Sequence, residues 1–200
     1  MSDVTVCIPT IPSRAAFLTE ALASVQAQTI LPQAVSVVYD LDHKGAAYTR
    51  NLALIASHTT YTAFLDDDDL LYPDHLELLL KEAERTGADL VYPWFDGGEN
   101  VAATFGGVWV SPYGVEFGME QEVWLLNNDN FIPITFLVRT ELAKKVGGFP
   151  EPRPNQHDGE HAAEDWEFLK NLLMAGGKFV HLPVKTWNWR IHDGRTKGWA

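Results

Sequence analysis

The sequence has one cysteine, Cys7, in 200 residues. That excludes an internal disulfide and a multi-thiolate zinc module, and its place in the apolar run Val4 to Ile8 marks it as a buried core thiol. Basic residues are also few. The 15 Lys plus Arg stand against 27 Asp plus Glu, a formal charge of −12, and no Lys/Arg cluster offsets it. Such a surface repels a polyanion, so duplex nucleic acid is a poor partner. No stretch reaches the roughly 18 to 20 apolar residues of a spanning helix, and the amino terminus lacks the basic start, apolar middle and small-residue cleavage site of a secretory signal. A cytoplasmic location without a membrane span is the expectation. Nor is there a repeat, a low-complexity segment or a linker that would divide the chain.

What is plentiful is apolar surface: 46% of the residues are hydrophobic, including seven Trp, ten Phe and six Tyr, enough for a substantial core. The β-branched run Val4 to Ile8, closed by Pro9, reads as a strand. Leu18, Leu22 and Val25 then recur at helical spacing. A strand over 34–39, a helix over 49–57 and a strand over 61–65 follow. Asp74 is placed to cap the next helix, with Glu77 three residues on and Gly87 as its stop, and 89–95 reads as a further strand. This alternation predicts an α/β domain with a mostly parallel central sheet and helices on both faces, whose ligands bind beyond the carboxyl ends of the strands. Glycines crowd 96–118, which reads as hairpins or a mobile loop. Beyond it the pattern predicts a strand over 134–138, helices over 140–146 and 163–175, and strands over 178–182 and 186–191.

The strand at 61–65 runs straight into Asp66-Asp67-Asp68-Asp69. Four consecutive carboxylates repel one another unless a cation or hydrogen bonds compensate, and Mn2+ or Mg2+ is the natural partner for carboxylate oxygen beside a substrate phosphate. Asp66 and Asp68 have the Asp-x-Asp spacing, with Asp68 the first choice for direct coordination. The competing reading is a solvated loop in which Asp67 and Asp69 cap the next helix. A phosphatase of the haloacid dehalogenase type also places Asp-x-Asp after an apolar strand, but there Thr or Val occupies the position held here by Leu70. His157 and His161 are four apart with Gly159 between them and Asp158 after the first, which suits a loop or an acceptor-side role better than zinc. Trp94, Trp109, Trp124, Trp187 and Trp189 are mostly core, with room among them for a face that stacks on a sugar.

Five segments, in order, resemble the family 2 glycosyltransferases of the GT-A fold. They are Val-Thr-Val-Cys-Ile-Pro-Thr at 4–10, the stretch from Ala63 through the acid run to Leu76, Val-Gly-Gly-Phe at 146–149, Ala-Glu-Asp-Trp-Glu-Phe at 163–168, and Trp-Arg-Ile-His at 189–192. The resemblance implies one glycosyltransferase domain over 1–200, with 1–95 binding the nucleotide sugar and 96–200 carrying the acceptor side and the catalytic base. It implies inverting transfer from a nucleotide diphosphate donor, a UDP-sugar before a GDP-sugar, to an acceptor hydroxyl. Carried over by position, Pro9 and Thr10 edge the nucleotide pocket, Asp40 approaches the base or ribose, Arg50 of Thr-Arg-Asn lies near the nucleotide, and Asp67 joins the donor contacts. Asp66, Asp68 and the closing His192 would hold the metal. Asp165 would be the general base, and its place in the first turn of a helix, where the dipole favours an ionised carboxylate, suits that role.

One departure stands out. Most members insert a helix and a strand between the second strand and the Thr-Arg-Asn signature, whereas here Asp40-Leu41-Asp42-His43-Lys44-Gly45 leads almost directly into the helix. Two other classes share the acidic strand end: a metal-dependent phosphatase or nucleotidyltransferase, and a non-catalytic sugar- or calcium-binding domain.

Overall fold

Alternation along β1 (Ser2–Thr10) divides the interior in two. Val4, Val6 and Ile8 point into one core and Cys7 into the other. The computed structural model describes residues 2–97, 116–128, 130–151, 164–190 and 192. Most of the glycine-rich stretch, with Trp109, His157, His161, Ala163 and Ile191, lies outside them.

β2 (Pro32–Tyr39) and β3 (Tyr61–Phe64) flank β1, both parallel to it. The remaining strands are β4 (Leu70–Leu71), β5 (Leu90–Gly97), β6 (Leu137–Arg139) and β7 (Phe179–Trp189). They complete a seven-stranded sheet in the order β2-β1-β3-β6-β5-β7-β4. β6 is antiparallel to β3 and β5, β7 is parallel to β5, and β4 is antiparallel to β7. Thus β1, β2, β3, β5 and β7 run one way, and their carboxyl ends share one edge.

Helices cover both faces. α1 (Ala15–Gln26) and α3 (His75–Thr86) bury Leu18, Ala21, Val25, Leu76, Leu79 and Ala83 against Val4, Val6, Ile8 and Trp187. On the other face lie α2 (Ala46–Ala56), α4 (Met119–Asn127), α5 (Thr140–Lys145) and α6 (Glu164–Met174), around Phe64, Phe136, Phe149 and Phe168. Cys7 sits in this second core, where burial pushes its thiol up to about 12. It is inert packing, as its apolar neighbours in sequence indicate.

Two local expectations fail for long-range reasons. Asp74 stands at the N-cap of α3 but makes no capping bond. Gln28, just past α1, does the capping, accepting from the Leu76 amide at 3.0 Å while donating to the Tyr72 carbonyl at 2.7 Å. Gly87 does end the helix, in the left-handed conformation at φ 68°. The strands expected over 178–182 and 186–191 are one strand, β7. Its ladder with β5 passes from Pro93↔Leu182 to Trp94↔Lys185, so Pro183 and Val184 bulge out of the pairing. The half beyond the bulge pairs with β4 and brings Arg190 to the acid run.

Candidate active site

The acid run leaves β3 at the edge where the parallel strands end. The Asp69 amide turns back to the Asp66 carbonyl at 3.1 Å. This tight turn brings ligand oxygens of Asp66, Asp68 and Asp69 within 4.8 Å of one another. Asp67, Asp68 and Asp69 are all buried, which overturns the solvated-loop reading, and neither Asp67 nor Asp69 caps α3. An all-carboxylate set of this spacing fits a hard divalent ion such as Mg2+ or Mn2+.

Buried carboxylates need compensation, and the fold supplies it from four directions. Thr10 Oγ1 donates to Asp67 Oδ2 at 2.6 Å. A single nitrogen of Arg14, Nη1, reaches both Asp67 Oδ1 at 2.8 Å and Asp68 Oδ2 at 3.0 Å. Burial nonetheless raises the Asp67 pKa. The Arg190 amide donates to Asp69 Oδ1 at 3.0 Å, and the Arg190 side chain reaches the Asp68 carbonyl and Glu20. His192 Nε2 lies 3.1 Å from Asp68 Oδ2, and its ring stacks on Phe17 with centroids 4.3 Å apart. The closing histidine therefore does meet the acid run, while the geometric trio of candidate ligands has Asp69 as its third member.

Arg50 carries the connection to the other acidic segment. It is 6% exposed, and its Nη2 donates to Asp66 Oδ1 at 2.7 Å while Nη1 donates to Glu164 Oε1 at 2.8 Å. Burial works against its charge, but Asp66 and Glu164 outweigh that and raise its pKa. Arg50 is thus an internal bridge between the end of β3 and the first turn of α6.

Next to Glu164, the Asp165 carboxylate accepts from Asn130 Nδ2 at 3.1 Å and from the Trp166 amide at 2.7 Å. Burial first, and the neighbouring Glu164 second, push it up to about 6, with Arg50 pulling the other way. A carboxylate at that value is ionised at neutral pH yet basic enough to take a proton.

The remaining sites expected from sequence lie at the β1 and β2 ends. Pro9 pairs with Val38 and Thr10 with Tyr39, both in buried positions on β1. The Asp40 amide donates to the Thr10 carbonyl at 2.8 Å, and the Asp40 carboxylate accepts from the amides of Lys44 at 2.8 Å and Gly45 at 2.7 Å. Asp40 thus folds the short connection into α2, with His43 at φ 55° and Gly45 at φ 90° making the turn. Sequence reasoning missed Arg14, Arg190, Asn130 and Asn51. Four consecutive acids at a strand end in a chain with few cations demand basic partners, and that demand was the signal available for Arg14 and Arg190.

Helices on both faces of this mixed sheet and an acidic loop at the parallel strand ends define a GT-A fold. The family model for glycosyl transferase family 2 matches residues 33–147, and the chain belongs to that family. Over 168 residues it is 28% identical to a pre-mycofactocin glycosyltransferase of Mycobacterium tuberculosis, covering 82% of this chain and 33% of that protein. The chain therefore spans about a third of the length of that relative. Among solved structures, Staphylococcus aureus TarS 1-349 in complex with UDP-GlcNAc superposes with a TM-score of 0.76 at 16% identity, covering 100% of this chain and 61% of that one. The mannosyltransferase PcManGT from Pyrobaculum calidifontis, in complex with GDP-Man and Mn2+, gives 0.69 at 17% identity, covering 96% and 58%. Among the described residues, no helix is long and apolar enough to cross a membrane.

Proposed function

We propose that this chain is an inverting glycosyltransferase that moves a sugar from a nucleotide diphosphate donor, a UDP-sugar before a GDP-sugar, to an acceptor hydroxyl. The observation that carries the reading is the Arg50 bridge, which ties the metal-suited acid run to the helix turn bearing Asp165. A diphosphate site and a proton acceptor are the two parts that this transfer needs, and here one buried cation joins them.

In this reading Asp66, Asp68 and Asp69 hold Mn2+ or Mg2+, with His192 steadying Asp68. When bound, the ion supplies charge neutralisation for the departing diphosphate. Pro9, Thr10 and Asp40 line the nucleotide end, and Asp67 is held by Thr10 and Arg14 facing the donor. Residues 1–95 carry the donor and 96–200 the acceptor side. As the acceptor oxygen bonds to the sugar's anomeric carbon, its proton passes to the Asp165 carboxylate. The bond from that carbon to the diphosphate breaks, and the electron pair leaves with the nucleoside diphosphate. Attack on the face opposite the leaving group inverts the carbon. Asn130 and the Trp166 amide aim the carboxylate, and the neighbouring Glu164, engaged by Arg50, raises its basicity.

The names of the relatives support a transferase, and the nucleotide sugars bound by TarS and PcManGT support the donor class. The test is incubation with Mn2+ and a panel of UDP- and GDP-sugars. Slow release of free nucleoside diphosphate from one donor is expected. Release of inorganic phosphate or pyrophosphate instead would indicate phosphatase or nucleotidyltransferase chemistry, and binding without turnover a lectin-like domain.

A further inference from the structure

Asp68, one of the three candidate ligands, already has two neighbours at its Oδ2, Arg14 Nη1 at 3.0 Å and His192 Nε2 at 3.1 Å. The same Arg14 nitrogen also holds Asp67 Oδ1 at 2.8 Å. One nitrogen placed between two adjacent carboxylates does there what a metal ion would do. It sets one positive charge against two adjacent buried carboxylates. Two cations cannot share Asp68 Oδ2 without strong repulsion, since charges a few ångströms apart interact strongly in a poorly solvated site.

Resting on the proposed metal-dependent transfer, we infer that Arg14 is a stand-in cation for the metal: it leaves Asp68 when the ion binds and turns its guanidinium to the donor diphosphate. Its place allows the move. Arg14 ends the short Pro12–Arg14 turn that follows Thr10, between the end of β1 and the start of α1. It therefore borders both the acid run and the loop expected to edge the nucleotide. Asp67 remains as a tether when Asp68 is released, and a planar guanidinium matches phosphate oxygens in a way an ammonium does not. The exchange keeps the site near charge balance at each stage. Arg14 covers the acid run before an ion binds, and with the ion bound the two together would face the diphosphate.

This role sets opposite signs for two affinities. Removing Arg14 removes a competitor for the ion, so metal alone binds more tightly. It also removes a diphosphate ligand, so nucleotide binds more weakly once metal is saturating. A residue that only holds the loop in shape would weaken both.

The experiment is calorimetric titration of the full chain, wild type, Arg14→Gln and Arg14→Lys, with MnCl2 alone and then with UDP and GDP at saturating Mn2+. In Arg14→Gln the Mn2+ affinity should rise by about tenfold or more, and affinity for whichever nucleotide the wild type binds should fall by about tenfold or more. Arg14→Lys, which keeps the charge, should stay within about threefold of wild type for Mn2+. Unchanged Mn2+ affinity in Arg14→Gln, or loss of both affinities, overturns the inference while leaving the transferase reading intact. Failure of both wild type and Arg14→Gln to bind Mn2+ overturns the metal reading and this one with it. Should Arg14→Gln not fold, Mg2+ titration of the wild type followed by the arginine Nε NMR signal absent from Arg14→Lys decides. A shift on adding Mg2+ and a second on adding nucleotide are expected, and an unmoved signal contradicts the exchange.

Discussion

Asn51 and Phe149 hold each other by two hydrogen bonds: Asn51 Nδ2 donates to the Phe149 carbonyl at 2.7 Å, and the Phe149 amide donates to Asn51 Oδ1 at 2.8 Å. The neighbour of Asn51 in α2 is Arg50, which grips Asp66 and Glu164. Consecutive residues of one helix therefore fix the end of β3, the base-bearing turn of α6 and the loop after α5. Phe149 also stacks on Phe168 of α6, with centroids 4.2 Å apart.

Asn51→Ala should cost about 1 to 3 kcal/mol, lowering the thermal midpoint by about 2 to 10 °C. Gly148 stands at φ 73°, and a Cβ there would lie 2.2 Å from Asn51 Oδ1. Gly148→Ala should therefore be destabilising by itself and less so in the Asn51→Ala background, where the clash is gone and only the backbone strain remains. Additive penalties in denaturant unfolding of the four proteins would contradict the clamp.

His75 gives a second, independent test. It is fully buried in α3 with Nδ1 2.8 Å from Thr186 Oγ1, and burial pushes it down to about 3. The unfolded chain takes up a proton near 6.5, whereas the native one does not. This contribution is therefore complete above pH 6.5 and is lost as pH falls from there toward 3. Between pH 6.5 and 5 the wild type should lose about 2 kcal/mol more stability than His75→Gln. Parallel stability curves for the two proteins over that range would show that His75 takes up its proton in the folded state.

The order of elements was legible because periodicity and chain breakers are local: the apolar faces of α1 and α3, the Gly87 stop and the β-branched run of β1 all read directly. β4 was not, since Leu70-Leu71 is a strand only through its pairing with Asn188 and Trp187. Nor was α4, whose exposed Met119 and Val123 blur the apolar face. Within the site, the place of Asp66 and Asp68 at a strand end and the approach of His192 were readable, while the arginine partners were not. Arg14 reaches Asp67 and Asp68 across 53 and 54 residues, and Arg50 reaches Glu164 across 114. Such pairings are decided by strand order. Asp40 is the instructive case, because its carboxylate is engaged in closing the shortened loop that the sequence shows as a departure.

Asp68→Ala should abolish metal-dependent nucleotide binding without unfolding the chain, because Arg14 keeps its bond to Asp67 and the Arg190 side chain still meets the backbone carbonyl at 68. Calorimetry with and without Mn2+ checks this. Equal nucleotide affinity in the variant and the wild type would remove Asp68 from the donor site.

The rate of transfer should rise with pH through a midpoint near 6 as Asp165 ionises. Since Glu164 is among the groups that raise that value, Glu164→Gln should move the acid limb to lower pH. A limb at the same pH in both proteins would place the titrating group elsewhere.

The most direct test of the account is single-turnover transfer by Asp165→Asn, with donor affinity and thermal midpoint measured on the same sample. Asparagine keeps the size of aspartate and can still accept from the Trp166 amide, but it cannot take a proton at neutral pH. The account predicts a folded protein with near wild-type, metal-dependent donor affinity and a rate constant about 100-fold to 10,000-fold lower. Near-normal turnover in that folded protein would contradict Asp165 as the base, and with it the proposed mechanism.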